Sequence, residues 1–368
     1  MTKQPAEKPS IQLVAVDDGS GNINVAYTDA EGIMVEYSQP SLVEADVAAS
    51  MTDELNASVW TTNGHNYTVR RTTQSPISTL DPDYQISDAS RVLVVDTFVK
   101  AGLAGQQLAV GCTLPVNQYY KANAGGDRRN ADRIKAKQAS LKKSVTNMFG
   151  VAKPPRILSV AVYPEALPAY YYCAYGARPG EEVAEYPDEH MTLVVDLGEF
   201  TCDLAIVTTG NEIQDIATYE HGVHRMVERF RALLMRDSSA LGLPDLSAAS
   251  APTLKALINR GYFGSTVPTP EAVANRIDVT SQVREAADSL NELIRDDIHK
   301  MIRGKEAVLT RIVFVGGGAH WLREHAMAWH SVVDIPAEPE KAISRGVHLL
   351  LEQQRSAILV RAAEALTE

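Results

Sequence analysis

The chain has 368 residues, 45% hydrophobic and 22% charged, an ordinary globular composition with enough material for two separately cored domains. A formal net charge of −11 and an isoelectric point near 5.4 argue against a broad basic surface, so a DNA role would need an adaptor. No apolar run reaches the ~20 residues needed to cross a bilayer, and Cys112, Cys173 and Cys202 stand apart among apolar neighbours, the pattern of buried thiols in a reducing cytosol.

Met1 to Ser10 is polar with two prolines, unlike a secretion signal, and reads as a loose tail. Val14-Ala15-Val16-Asp17-Asp18-Gly19-Ser20-Gly21-Asn22-Ile23-Asn24-Val25-Ala26 then reads as two strands joined by a glycine turn. Glycine permits positive φ and lets backbone amides approach a ligand, so such a turn can hold phosphate. The aspartate ending the first strand would hold a hydrated magnesium, because a carboxylate repels phosphate directly. Residues 31 to 86 read as a small strand-rich insertion. Arg91 to Ala104 has the apolar spacing of an amphipathic helix, and Gln107 to Pro115 that of a buried strand ended by proline. Asp127 to Phe149, rich in lysine and arginine, reads as a solvated region leading into a helix; a nucleic-acid or filament contact is the alternative. Arg156 to Val162 is a strand and Tyr163-Pro164-Glu165-Ala166-Leu167-Pro168-Ala169 opens a helix. The acidic stretch from Gly176 to Glu189 reads as an exposed connection and the main domain boundary.

The second half repeats the first hairpin's plan in Leu193-Val194-Val195-Asp196-Leu197-Gly198-Glu199-Phe200-Thr201-Cys202-Asp203-Leu204-Ala205-Ile206-Val207. A helix follows from about Gly222 to Met235, and Ser238 to Pro252 introduces a helical insertion that includes a long amphipathic helix from about Val279 to Met301. Arg311 to Val315 is a strand running into Gly316-Gly317-Gly318 and a helix beginning near Ala319, with one or two more helices from Ile343. Strand, triple glycine, helix is common by itself; after two phosphate-type hairpins it points to a bound nucleotide. There is no G-x-x-x-x-G-K-[ST], and Trp321 stands where a dinucleotide fingerprint needs its third glycine. Glu165, between Pro164 and Pro168, suits either a water-orienting carboxylate or a first-turn glutamate favoured by the helix dipole. Locally the second is the simpler reading.

In this order the motifs resemble the actin-like ATPases, most closely the ParM/StbA plasmid-segregation proteins, over roughly residues 11 to 350. Asp17 to Ile23 looks like the first phosphate loop, Asp196-Leu197-Gly198 with Thr201 and Asp203 like the second, and Val315 to Ala319 like the adenosine motif. Cys112-Thr113-Leu114-Pro115, Tyr119-Tyr120 and Pro164 to Ala169 look like ParM features, and Arg345-Gly346 like the closing motif. The resemblance implies an α/β, actin-like (duplicated RNase H-like) fold with a nucleotide cleft between two domains. Domain I would be 11–180 with 336–368, and domain II 188–335 with its helical insertion at about 238–300. Asp17 and Asp196 would hold magnesium through water. Asp18, Gly19, Ser20, Gly21, Asn22, Gly198, Thr201, Gly316, Gly317 and Gly318 would bind ATP or GTP, and Glu165 with Asp196 would be catalytic. The implied protein is cytoplasmic and polymerises into polar filaments on ATP, which fall apart after hydrolysis. It segregates plasmid DNA through a ParR-type adaptor on a centromere, touching neither nucleic acid nor membrane itself. Glu199 and Phe200 depart from the small residue the family places after Gly198; Glu199 must face outward or nucleotide handling is altered. The rival readings are a small-molecule kinase of the same superfold and a non-hydrolysing scaffold.

Overall fold

The computed structural model describes residues 10–47, 56–73, 75–121, 128–176 and 190–366. The expected tail up to Pro9, Asp127, and the expected connection beyond Gly176 lie outside these residues. The chain divides into two compact units, Met1–Glu185 with Lys341–Glu368, and Tyr186–Glu340.

In the first unit, β1 (Ile11–Asp18), β2 (Asn22–Thr28) and β3 (Met34–Pro40) form an antiparallel meander. The segment from Met34 to Pro40 therefore belongs to the main sheet, and the insertion begins only at Ser41. Its own sheet is built from β4 (Val43–Ala45), β5 (Val59–Thr62), β6 (His65–Val69) and the later β8 (Thr146–Asn147), in the order β4-β6-β5-β8. Helix α1 (Asp88–Phe98) starts three residues before the expected Arg91, because the Ser87 hydroxyl accepts from the Ser90 amide at 3.2 Å and caps it. It is buried on every side from Ala89 to Phe98 and is not amphipathic. A π-helical stretch, Val99–Leu103, carries it into β7 (Gln107–Leu114). After α2 (Val116–Tyr119) and α3 (Ala131–Lys142), β9 (Arg156–Pro164) completes the sheet in the order β3-β2-β1-β7-β9, with β1, β7 and β9 parallel. Strand β9 runs through Pro164, so that proline ends a strand and does not open α4 (Ala166–Tyr175).

The second unit is built to the same plan. β10 (Met191–Leu197), β11 (Cys202–Thr208) and β12 (Glu212–Tyr219) form the meander, and β12 was not apparent from sequence. Helix α5 (Val223–Leu241) follows, then α6 (Ala251–Arg260), a short ribbon of β13 (Tyr262–Phe263) and β14 (Ile277–Asp278) with α7 (Pro270–Ala274) between them, and α8 (Thr280–Ile302). β15 (Arg311–Val315) lies parallel to β10, α9 (Ala319–Ala326) follows it, and β16 (Val333–Asp334) closes the order β12-β11-β10-β15-β16. Met226, Phe230 and Leu233 of α5 and Ala286, Leu290 and Ile294 of α8 pack with Leu193, Val195 and Leu204 of the sheet. Each large side chain so buried contributes about 1.5–3 kcal/mol. The chain returns to the first unit through α10 (Ala342–Gln353) and α11 (Arg355–Glu364), where Arg345 grips Glu36 with Nε at 2.6 Å and Nη2 at 3.0 Å. All three cysteines are buried, and no helix among the described residues is long and apolar enough to cross a membrane.

Candidate functional site

In the first unit the β1–β2 turn stands at the C-terminal ends of the parallel strands, where open α/β sheets place their ligands. Ser41 fastens it from below, its hydroxyl donating to the Gly19 carbonyl at 2.6 Å and its amide to the Gly21 carbonyl at 3.0 Å. Among the described residues the amides of Gly19, Ser20 and Gly21 donate to no protein group. None of the three takes a positive φ except in expectation: neither Gly19 nor Gly21 adopts one, and a Cβ at Gly19 would instead lie 2.9 Å from the Asn22 carbonyl. Close approach, rather than a left-handed turn, selects glycine there.

Asp17 and Asp18 have opposite environments. The Asp17 carboxylate accepts from Asn24 Nδ2 at 3.3 Å and from the Thr113 hydroxyl of β7, yet burial and then the charge of Asp18 push its carboxyl up to about 7. Asp18 is turned into the interior: it pairs with Lys137 of α3 and accepts from the Ser90 hydroxyl at 3.2 Å, while Lys137 also donates to Gln85 Oε1 at 2.6 Å. The expected solvated character of this segment is thus wrong at Lys137, which is fully buried, and Oδ2 of Asp18, a candidate nucleotide ligand, is engaged inside the unit by Lys137 and Ser90. Lys137 was legible in principle, since it lies three residues after Ile134 and four before Leu141, on the helix's apolar face. Glu165 joins β9 to α4, mostly buried, with its amide donating to the Leu114 carbonyl at 3.1 Å. It therefore stands beside the strand end that carries Thr113, the partner of Asp17.

In the second unit Asp196, next to last in β10, lies opposite Val315 of β15, which brings the second hairpin and the triple glycine together across more than a hundred residues of sequence. A Cβ at Gly316 would lie 2.4 Å from Asp196 Oδ1, and one at Gly318 would lie 2.3 Å from Leu197 Cγ. Gly316 also has φ +81°, and the Gly318 amide donates to the Leu197 carbonyl at 2.9 Å. These two glycines serve packing against the hairpin. Gly317 is the one that faces open space.

The hairpin turn itself is fixed by α5. The amides of Gly222, Val223 and His224 donate to the carbonyls of Phe200 (3.1 Å), Gly198 (3.0 Å) and Glu199 (2.9 Å), so this turn satisfies the helix N-terminus. Its carbonyls are thereby spent, and the amides of Glu199, Phe200 and Thr201 donate to no group among the described residues. Thr201 donates its hydroxyl to Asp203 at 2.8 Å, as does Thr218 at 2.6 Å, and burial raises the Asp203 carboxyl nonetheless. Glu199 does not face outward, the first of the two alternatives expected for it, since its side chain is largely buried. Lys255 of α6 holds it at 2.5 Å, and the pair leaves the turn close to neutral. Neither Gly222 nor Lys255 had a local signal: what selects them is a contact with a turn that precedes them by more than twenty residues.

Residues 12–175 match the family model described as plasmid segregation protein ParM, N-terminal, and residues 194–328 match that of the archaeal actin homologue MreB-like, C-terminal. No curated protein matches the chain. Among solved structures, the actin-like protein Alp7A is 12% identical with a TM-score of 0.70, over 96% of this chain and 99% of that one. An archaeal actin homologue, Ta0583, in complex with ADP is 15% identical with a TM-score of 0.67, over 93% of this chain and all of that one, 100%. A 15-stranded ParM filament from Clostridium botulinum is 15% identical with a TM-score of 0.64, over 94% and 99%. The two matching units, each a hairpin sheet with a parallel extension, define an actin-like fold. Within that class, residues 12–175 are similar to the N-terminal part of plasmid segregation protein ParM.

Proposed function

We propose that this chain is an actin-like nucleoside triphosphatase that polymerises into polar filaments with ATP bound and disassembles after hydrolysis, moving plasmid DNA through a ParR-type adaptor. The observation that carries the reading is the repeated one: in each unit, backbone amides with no acceptor among the described residues stand beside a buried aspartate near a strand end. Amides so arranged cradle phosphate. Gly19 to Asn22 in the first unit and Gly198 to Thr201 in the second would bind phosphate, and the exposed Gly317 the nucleoside. The donor set fits magnesium, because Asp17 is a carboxylate burdened by burial and by Asp18, and a nearby cation offsets both. Asp17 and Asp196 would hold it through water, and the ion supplies charge neutralisation at the phosphate oxygens. Glu165 would orient and deprotonate the attacking water, a role that contributes ~10²–10⁴ in rate. The ADP bound by Ta0583 and the filament of the Clostridium botulinum ParM support nucleotide use and self-assembly. The ion pair between Glu199 and Lys255 offsets the negative charge at the second turn and so supports hydrolysis over a non-hydrolysing scaffold.

The test is light scattering with simultaneous phosphate release in magnesium and ATP. Assembly without added substrate is expected, and Glu165→Gln keeps nucleotide binding while lowering turnover by ~10²-fold or more. A monomer that consumes ATP only when a metabolite is added would overturn the filament reading in favour of a kinase.

A further inference from the structure

The basic segment of the first unit is only partly spent on the site. From Lys121 to Arg156 the chain has ten basic and two acidic residues. Lys137 is taken by Asp18 and Arg133 by Asp83 at 2.6 Å. Lys142 and Lys143, ending α3, and Arg156, opening β9, are exposed and form no ion pair among the described residues. They rim a groove of about 530 Å³ floored by Leu141, Val145, Pro155 and Leu158. The next turn adds apolar surface in a fixed shape. Asn147 Nδ2 donates to the carbonyls of Asn56 and Val59 at 2.9 Å each, and its Oδ1 accepts from the amides of Phe149 at 3.2 Å and Val151 at 3.1 Å. That clamp presents Met148, Phe149 and Val151 at 46%, 45% and 53% exposure. Three large apolar side chains on a rigid, exposed turn beside free cations form a docking surface and not a solvated one.

The second unit carries the complement. It has 23 acidic against 14 basic residues, a net of −9. On α8, Asp288, Glu292 and Asp296 recur every four residues and so form one stripe, all three exposed, although like charges at that spacing destabilise a helix. Asp288 reaches His325 of α9 at 3.1 Å, and Met327 at the end of that helix is 61% exposed, so this face also pairs charge with apolar surface. Among the described residues no ion pair joins the stripe to the basic groove within the chain.

We infer that the groove of Lys142, Lys143 and Arg156, with the turn from Met148 to Val151, docks on the Asp288, Glu292 and Asp296 stripe of a second copy of this chain. Different faces meet, so the contact is heterologous and repeats without closing. The inference rests on the filament reading above and names the surfaces that make the filament. Duplex DNA is the competing occupant of a basic groove.

Polymer pelleting in magnesium and ATP tests it. Lys142→Glu with Lys143→Glu, Glu292→Lys with Asp296→Lys, and Phe149→Ser each raise the critical concentration ~10-fold or more, with nucleotide affinity unchanged. The chain carrying all four charge reversals returns to within ~3-fold of the unaltered protein, a rescue that a folding defect would not give. Charge-reversed pairs that polymerise normally overturn the inference, as does a fourfold variant no better than either pair. Normal polymer with lost duplex DNA binding assigns the groove to nucleic acid and overturns it too. If the unaltered chain forms no polymer with any nucleotide, the filament reading fails. Sedimentation of a one-to-one mixture of the two pair variants still decides the contact: association in the mixture but in neither alone supports it, and monomers throughout overturn it.

Discussion

Replacing Asp17 with asparagine is expected to stabilise the nucleotide-free first unit while abolishing magnesium-dependent nucleotide binding. The Asp17 carboxyl stands at about 7 in the folded chain against an ordinary 3.8, because burial and then Asp18 oppose its charge. Between those values the folded chain keeps a proton that the unfolded chain has released. Stability is therefore full below pH 4 and falls as pH rises to about 7, in all by ~4 kcal/mol. Asp17→Asn has no charge to oppose, so its advantage opens over the same window and is flat beyond it. It also weakens acceptors for Asn24 and Thr113, about 1 kcal/mol each at every pH, which leaves a net gain of ~2 kcal/mol above pH 7 and a net loss of ~2 kcal/mol at pH 4. Trp60 is fully buried in the first unit, so urea unfolding followed by its fluorescence, with Trp321 and Trp329 replaced by phenylalanine in both proteins, isolates the effect. An asparagine variant less stable than its parent at pH 8, or a difference that does not change between pH 4 and pH 8, would refute the reasoning.

Lys255→Met leaves the Glu199 charge beside the second turn. Because the lysine is about a third exposed and partly screened, nucleotide affinity should fall only ~3–10-fold, and Glu199→Gln in the same chain should restore it in a titration with fluorescent ATP. Gly316→Ala places a methyl 2.4 Å from Asp196 Oδ1 at φ +81° and should cost about 3 kcal/mol in a melting experiment, whereas Gly317→Ala meets no neighbour and should leave melting unchanged while weakening nucleotide binding. Equal destabilisation by the two alanines would contradict the packing account. Lys137→Met strands the Asp18 carboxylate in the interior and should cost about 3–5 kcal/mol, most of it recovered by Asp18→Asn in the same chain when both are compared by urea unfolding.

Both hairpins were legible because a strand buried on both faces reads as an unbroken apolar run, and because a strand end followed by aspartate and glycine has few other meanings. β12 escaped notice for the opposite reason: Glu212 to Tyr219 is half-exposed along its length, so its polar residues masked the strand. In the basic segment, composition suggested solvent while the spacing of Ile134, Lys137 and Leu141 spoke for burial, and spacing was right. Glycines announced themselves but not their cause. The same letter stands for a close approach at Gly19, a left-handed backbone against Asp196 at Gly316, and open space at Gly317. The partner of Glu199 could not be read at all, since Lys255 sits on a helix fixed by the core of the second unit.

The two hairpins share a topology but not a support, and the difference bears on what each can do. The first turn is braced by side chains: Ser41 beneath it, and the buried pair of Asp18 with Lys137 behind it. Lys137 belongs to α3, so the first turn is tied to that helix by one buried ion pair. The second turn is braced by the backbone at the start of α5, where the amides of Gly222, Val223 and His224 donate to the carbonyls of Phe200, Gly198 and Glu199. Any displacement of that turn must carry α5 with it or leave buried amides unpaired, at a cost of about 1–3 kcal/mol for each. Helix α5 packs on α8, whose outer face carries the acidic stripe. A displacement of the second turn thus has a backbone route to the acidic stripe proposed to meet the next subunit, whereas the first turn reaches the proposed basic groove at the end of α3 only through the ion pair of Asp18 with Lys137.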